Sequence, residues 1–308
     1  MLNKYHSGTW LIALAAIMWS FDAPFRLFLT EELSATSIVL LEHTIVSIVV
    51  VLTLFPYLKE VRQLDRRGWL ALLFVAWGGS AVATILFTQS FAYVSPSVAI
   101  LLQKLQPIFA ILLAVTVLRE RLAKRFWVWA LVAILGAYFV SFPNGWPGGG
   151  LQTNMIGVAL AVGAAFLWGG STVFGRYLLR SISFKAMTAF RFLFAFLFLF
   201  GLQASRGALV EVSLAGSEVW LYAASTGLVA GFISLFIYYR GLRTTPASVA
   251  TIAELVFPVA AVAVNWFWLE ESLQLMQILG GVVVLGAITR LSWLNAQMVE
   301  STQTVLVS

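Results

Sequence analysis

Six ionisable side chains fall inside long apolar runs: Asp22, Glu42, His43, Lys104, Arg191 and Glu254. A charge at the centre of a hydrocarbon layer costs about 2.5–3.5 kcal/mol on insertion scales, so such a group normally faces a cavity or a partner. Lys104 and Glu254 stand out because each precedes a proline, Pro107 and Pro258. Proline removes a backbone donor and frees the carbonyl one turn back, so both helices should bend and leave polar backbone beside the charge. A lysine there suits a carboxylate, and a glutamate suits an ammonium or a proton. The bland reading is that the two pair with each other. Gln103 and Gln106 flank the lysine and add donors and acceptors, with Gln103 turned about 100° away. Asp22 is either a proton site near Trp19 or the partner of Arg26 one turn later. Glu42 and Arg191 take matching places 149 residues apart, and the ordinary expectation for them is a structural ion pair or snorkelling. Trp19, Trp77 and Trp168 lie deep enough to stack on a ligand, and Tyr93, Tyr238 and Tyr239 offer hydroxyls.

The lysine and glutamate belong to one phrase written twice, SPSVAILLQKLQPIFAILLAVTVLRERL (95–122) and TPASVATIAELVFPVAAVAVNWFWLEESL (245–273). Ser97, Val98, Ala99, Pro107 and Glu120 return as Ser248, Val249, Ala250, Pro258 and Glu271, all 151 residues on. Trp19 and Gly8 return as Trp168 and Gly157 at a spacing of 149. Glu120 and Glu271 end their runs, which suggests capping or gating contacts with basic neighbours such as Arg121. The pairs Gly78-Gly79 and Gly169-Gly170 suit close helix approach.

The elements that must carry these residues follow from composition. Of 308 residues, 61% are hydrophobic and 10% charged, and the mean hydropathy is +0.93. Soluble domains are about 45–50% apolar and about 25% charged, so lipid is the expected solvent. The pattern predicts an all-α integral membrane protein with ten spans at 8–28, 35–56, 69–92, 96–118, 125–142, 155–178, 185–204, 218–240, 247–268 and 274–294. The first run is too long for a signal-peptide core and should be retained. With no cysteine and only His6 and His43, no metal site, cofactor or catalytic residue is expected. No P-loop, HExxH or G-x-S-x-G is present either.

Fifteen of the 19 Lys and Arg residues lie at the chain ends or in the loops around 57–68, 119–125, 176–185 and 240–243, while Arg26 and Arg206 lie on the opposite side. That bias predicts cytoplasmic termini and explains the net charge of +6 without nucleic acid. Five spans per half force the halves to cross in opposite directions. The expected units are a first repeat (1–148), a second, inverted repeat (149–295) and a cytoplasmic tail (296–308). Inverted repeats around a midplane site are a recurring plan of secondary transporters.

The paired phrases, with the Trp19 and Trp168 regions, resemble EamA-type proteins of the drug/metabolite transporter superfamily over nearly the whole chain. The resemblance implies a ten-helix carrier of the cell inner membrane, an exporter of amino acids or other small metabolites. It also implies a central cavity lined by spans one, three, four, six, eight and nine. The substrate-binding candidates are Lys104, Glu254, Trp19, Asp22, Gln106, Trp77, Tyr93, Trp168 and Tyr239, with Pro107 and Pro258 as helix breaks. Expected partners are the lipid bilayer and a small metabolite, with proton coupling open to the buried acids and a monomer or homodimer as the assembly. A channel or a polytopic membrane enzyme using the same charges is the alternative.

Overall fold

The computed structural model describes residues 2–52, 55–94, 99, 102–141, 144, 155–268 and 274–307, and among them it contains helices and no strand. The helices are α1 (Leu2–Trp19), α2 (Asp22–Glu32), α3 (Ala35–Val51), α4 (Leu58–Arg62), α5 (Arg66–Ser90), α6 (Gln106–Val117), α7 (Lys124–Ser141), α8 (Met155–Leu178), α9 (Phe184–Ser205), α10 (Leu209–Ser213), α11 (Ser217–Leu242), α12 (Ala247–Ala253), α13 (Val256–Trp268) and α14 (Leu275–Val307). Five stretches are long and apolar enough to cross a membrane: α5, α8, α9, α11 and Ala247–Val264. Shorter apolar helices cover Ser7–Trp19, Ala35–Val51, Gln106–Val117 and Leu275–Leu291. The run expected at 8–28 is interrupted at Ser20 and Phe21, where α1 gives way to α2. Residues expected to form a tail from 296 continue α14 as helix to Val307.

Local chemistry explains the boundaries. Ser34, Asp65 and Ser183 take extended backbone and cap α3, α5 and α9, each accepting a backbone N–H three residues on. Two of the long helices are wound as π-helix in their middles, α5 over Phe74–Val82 and α11 over Thr226–Ile233. The second segment begins 152 residues after the first, close to the spacing of the repeated phrase. Such segments are rare and often lie at functional sites.

Packing follows a swapped pattern. α1 lies on the C-terminal part of α11 and on α12 and α13, while α8 lies on the C-terminal part of α5 and on α6. α3 meets the π-segment of α11, and α9 meets that of α5. α3 also packs on α9, and α7 on α14. At the α7–α14 crossing, a Cβ on Gly280 would fall 2.8 Å from the Gly136 carbonyl oxygen, so any larger residue would separate the two helices. Leu52, Leu70, Leu131 and Val282 stand on the outer surface, as suits contact with acyl chains.

Glu120 does not turn to Arg121. Its carboxylate accepts from the backbone N–H of Ala247 (2.7 Å), from that of Ser248 (3.1 Å) and from the Ser248 hydroxyl (2.6 Å). It thus caps α12, because the first N–H groups of a helix have no internal acceptor and favour negative charge. Glu120→Ala is expected to cost about 1–2 kcal/mol, read as a lower unfolding temperature in detergent. Glu120→Gln should recover part of the loss. Glu271 lies outside the described residues.

Between α9 and α11, Glu211 ties α10 to the start of α3. It accepts from the Ser34 N–H, the Ser37 hydroxyl (2.6 Å) and the Ser34 hydroxyl (2.8 Å). Partial burial pushes its pKa up, but those hydrogen bonds outweigh burial and hold it below the usual carboxylate value. A group lowered on folding stabilises above its unfolded pKa, about 4.3 for Glu, and loses that contribution as pH falls through the folded value. Below pH of about 4, the α10 segment of the wild type should therefore gain amide exchange. Glu211→Gln should remove that pH dependence.

Candidate functional site

The site is built around two helix breaks. Lys104 and Leu105 form a turn between Leu102–Gln103 and α6, and Glu254 and Leu255 form the equivalent turn between α12 and α13. In each case the proline three to four residues on is the cause. Pro107 cannot donate to Gln103, and Pro258 cannot donate to Glu254, whose carbonyl takes the Phe257 N–H instead at 2.9 Å. Each break thus falls on the charged residue itself.

Glu254 gathers three neutral donors from three helices. Its Oε1 accepts from the Tyr238 hydroxyl of α11 at 2.7 Å and from Thr172 Oγ1 of α8 at 3.3 Å. Its Oε2 accepts from Gln106 Nε2 of α6 at 2.7 Å. Gly169 permits this convergence, since a Cβ there would meet the Gln106 carbonyl oxygen at 3.0 Å and hold α8 away from α6. Trp19 closes one side, with its ring centroid 5.6 Å from that of Tyr238 and its indole N–H donating to Ser234 Oγ at 2.9 Å. Lys104 does not pair with Glu254. Its ammonium lies 5.3 Å from the centroid of the Phe257 ring, and among the described residues it has no ion pair. A cation over an aromatic face gains about 0.5–2 kcal/mol, which does not replace an anion.

Other candidates go elsewhere. Trp168 packs on Phe87 at 5.3 Å, repeating the Trp19–Tyr238 contact at 149 and 151 residues' separation. Trp77 is 42% exposed, stacks on Phe198 and donates to the Phe194 carbonyl, so it covers α9 from outside. Tyr93 sits in the turn after α5 and is half-exposed. Tyr239 is fully buried beside Tyr238, and its hydroxyl accepts from Arg191. Asp22 is held by Arg26, through Nε and through Nη2 at 3.1 Å.

Of the two expectations for Glu42 and Arg191, snorkelling is not found, as they are 6% and 7% exposed, while Glu42 does form an ion pair, with Arg26. Glu42 accepts from Arg26 Nη2 and from Thr226 Oγ1, both at 2.9 Å. Arg191 donates to the hydroxyls of Ser80, Ser171 and Tyr239. Each charge is thus bonded by a hydroxyl of the opposite half's π-segment, Thr226 for Glu42 and Ser80 for Arg191. Sequence reading missed Thr172, Ser234, Ser80, Ser171 and Thr226, because apolar helices commonly carry Ser and Thr back-bonded to their own carbonyls, as Thr44 and Thr188 are here. Phe87 was within reach, as the residue 151 before Tyr238.

Comparison with known proteins places the chain among transporters. The chain is 30% identical over 306 residues to the riboflavin transporter ImpX of Fusobacterium nucleatum, covering 96% of this chain and 100% of that one. It is 25% identical to the uncharacterized transporter YetK of Bacillus subtilis, covering 80% and 75% of the two chains. A solved crystal structure superposes with a TM-score of 0.74 at 21% identity, covering 96% of this chain and 99% of the other, which supports the fold alone. The model of the EamA-like transporter family matches twice, over residues 6–142 and 155–293. This multi-pass membrane protein belongs to the EamA-like transporter family.

Proposed function

We propose that this protein is a secondary carrier of the inner membrane that moves a small metabolite by alternating access. The substrate would bind between the broken helices at Lys104 and Glu254. The observation that carries the reading, among the described residues, is a partly buried ammonium without an anion, on one break, and a carboxylate bonded only by neutral donors, on the other. Stability alone would favour apolar side chains or a direct pair, so the unmet charge points to a ligand. The architecture we infer is ten spans in two inverted halves, 1–148 and 149–295, with both termini and the 296–308 tail in the cytoplasm. The double family match and the swapped packing support it, as does the loop charge bias.

An amino acid fits this geometry: its carboxylate would meet Lys104, its amine would meet Glu254, and Trp19 would flank the side chain. Export is the direction we propose. A second reading, riboflavin, is favoured by the full-length similarity to ImpX; its ring would lie among Trp19, Tyr238 and Phe257, and it has no carboxylate for Lys104. Counterflow into proteoliposomes with labelled amino acids and labelled riboflavin tests both. A carrier accumulates whichever labelled probe it accepts against unlabelled internal substrate. Gradient dissipation without counterflow would identify a channel, and chemical change of the probe an enzyme. Exchange of riboflavin with no amino acid would replace the first substrate reading by the second.

A further inference from the structure

A second buried charge cluster lies apart from the Lys104–Glu254 breaks. Asp22 and Glu42 share one guanidinium, Arg26, which spends Nε and Nη2 on Asp22 and Nη2 on Glu42. Arg26 Nη1 is buried and has no acceptor. The side chains of Arg26, Asp22 and Glu42 are 16%, 23% and 8% exposed. Two carboxylates on one cation leave a negative charge in excess, in a region where an uncompensated charge is expensive. One proton on the cluster removes that excess. His43 adds a second unmet valence: its Nδ1 is bonded to the Val39 carbonyl at 2.8 Å, while its buried Nε2 has no partner.

We propose that Asp22, Arg26 and Glu42 form a proton site that drives transport, with Glu42 as the group that carries the proton; this rests on the carrier reading. Glu42 touches the machinery that a driving site must move. It bonds Thr226 at the start of the α11 π-segment, and a Cβ on Gly227 would meet the Glu42 carbonyl oxygen at 3.0 Å. The same helix carries Ser234 and Tyr238 into the substrate site. A proton from water on one side adds to a Glu42 carboxylate oxygen and gives the neutral acid. Arg26 then remains on Asp22, the charge-assisted bonds from Arg26 and Thr226 to Glu42 weaken, and α11 is released from α3. After the site reopens, the same proton leaves to water on the other side. Asp22 and Arg26 from α2 are the charged groups that bear on Glu42, with His43 next to it on α3; the other elements packed on α3 carry Arg191 (α9), Tyr222 (α11) and Glu211 (α10), the last bonded to Ser37. α5 presents the neutral Ser80. Among them Glu42 is the buried carboxylate with two donors on one oxygen and none on the other.

Infrared difference spectra of the reconstituted protein across a pH series read the proton directly. Wild type should show a pH-dependent band of a protonated carboxylic acid that is lost in Glu42→Gln, kept in Glu254→Gln, and moved to lower pH in Asp22→Asn, which leaves one carboxylate to one guanidinium. Persistence of every such band in Glu42→Gln, or no band in wild type, overturns the proposal. The transport arm uses labelled riboflavin and labelled amino acids as probes. Glu42→Gln should exchange the accepted probe in counterflow near the wild-type rate. It should lose the accumulation, up to about tenfold, that a gradient of one pH unit drives through one proton. Loss of exchange as well would make Glu42 structural, and gradient-driven accumulation at the wild-type level would also overturn the proposal. If no probe exchanges in wild type, the carrier reading loses its support while the infrared result still decides the proton site.

Discussion

Lys104→Met is expected to yield a more stable and nearly inactive protein. The ammonium lies over Phe257 and has no ion pair among the described residues, so the folded state carries a desolvated charge that the ring offsets only in part. Methionine fills a similar volume without it. A gain of about 1–2 kcal/mol is expected, less than the insertion penalty because the lysine is only partly buried. It would appear as a higher unfolding temperature in detergent. If Lys104 holds an anionic group of the substrate, its removal costs about 2–4 kcal/mol of binding, or roughly 30- to 1,000-fold. Opposite movement of stability and transport is the signature of a side chain kept for its ligand. A variant both less stable and fully active would put Lys104 in the scaffold instead.

The breaks themselves were legible in the sequence, and the partners were not. A charge three or four residues before a proline, found twice with the prolines 151 residues apart, is enough to predict a polar turn deep in each apolar run. The turns at Lys104–Leu105 and Glu254–Leu255 are that feature. Partner choice is a different problem, because it depends on which helices cross and at what depth. Glu42 and Arg191 looked like a natural pair, matched in position and opposite in sign. Yet Glu42 is met by Arg26 and by Thr226 of the α11 π-segment, and Arg191 by hydroxyls that include Ser80 of the α5 π-segment. Nothing in local periodicity distinguishes Thr226 or Ser80 from the many hydroxyls bonded to their own helix. The π-winding was equally hidden, since it has no composition of its own. Trp77 shows the converse error: depth in a span does not say which face of the helix a ring occupies, and this one faces outward over α9.

Glu254→Gln should reduce transport by about 10- to 150-fold while leaving the fold intact. The geometry gives the reason for the asymmetry. Its three partners are Gln106, whose amide can turn over, and Tyr238 and Thr172, whose hydroxyls can donate or accept. A neutral glutamine can therefore be satisfied in place, and only the charge is lost. Hydrogen bonds to a charged group are worth about 1.5–3 kcal/mol, which sets the expected range if the substrate donates to this carboxylate. Tyr238→Phe removes one neutral donor and should cost about 1 kcal/mol, roughly fivefold. The double variant Lys104→Met/Glu254→Gln separates two arrangements that single variants leave mixed. A substrate that meets the two charges at opposite ends gives nearly additive losses, because neither residue depends on the other. A lysine whose function is to tune the glutamate gives a double variant scarcely worse than Glu254→Gln, a coupling of about 1–3 kcal/mol. The 5.3 Å seat of Lys104 on Phe257, without an ion pair to Glu254, favours additivity. Additive losses measured as counterflow affinity would mean that the two broken helices each hold their own end of the cargo.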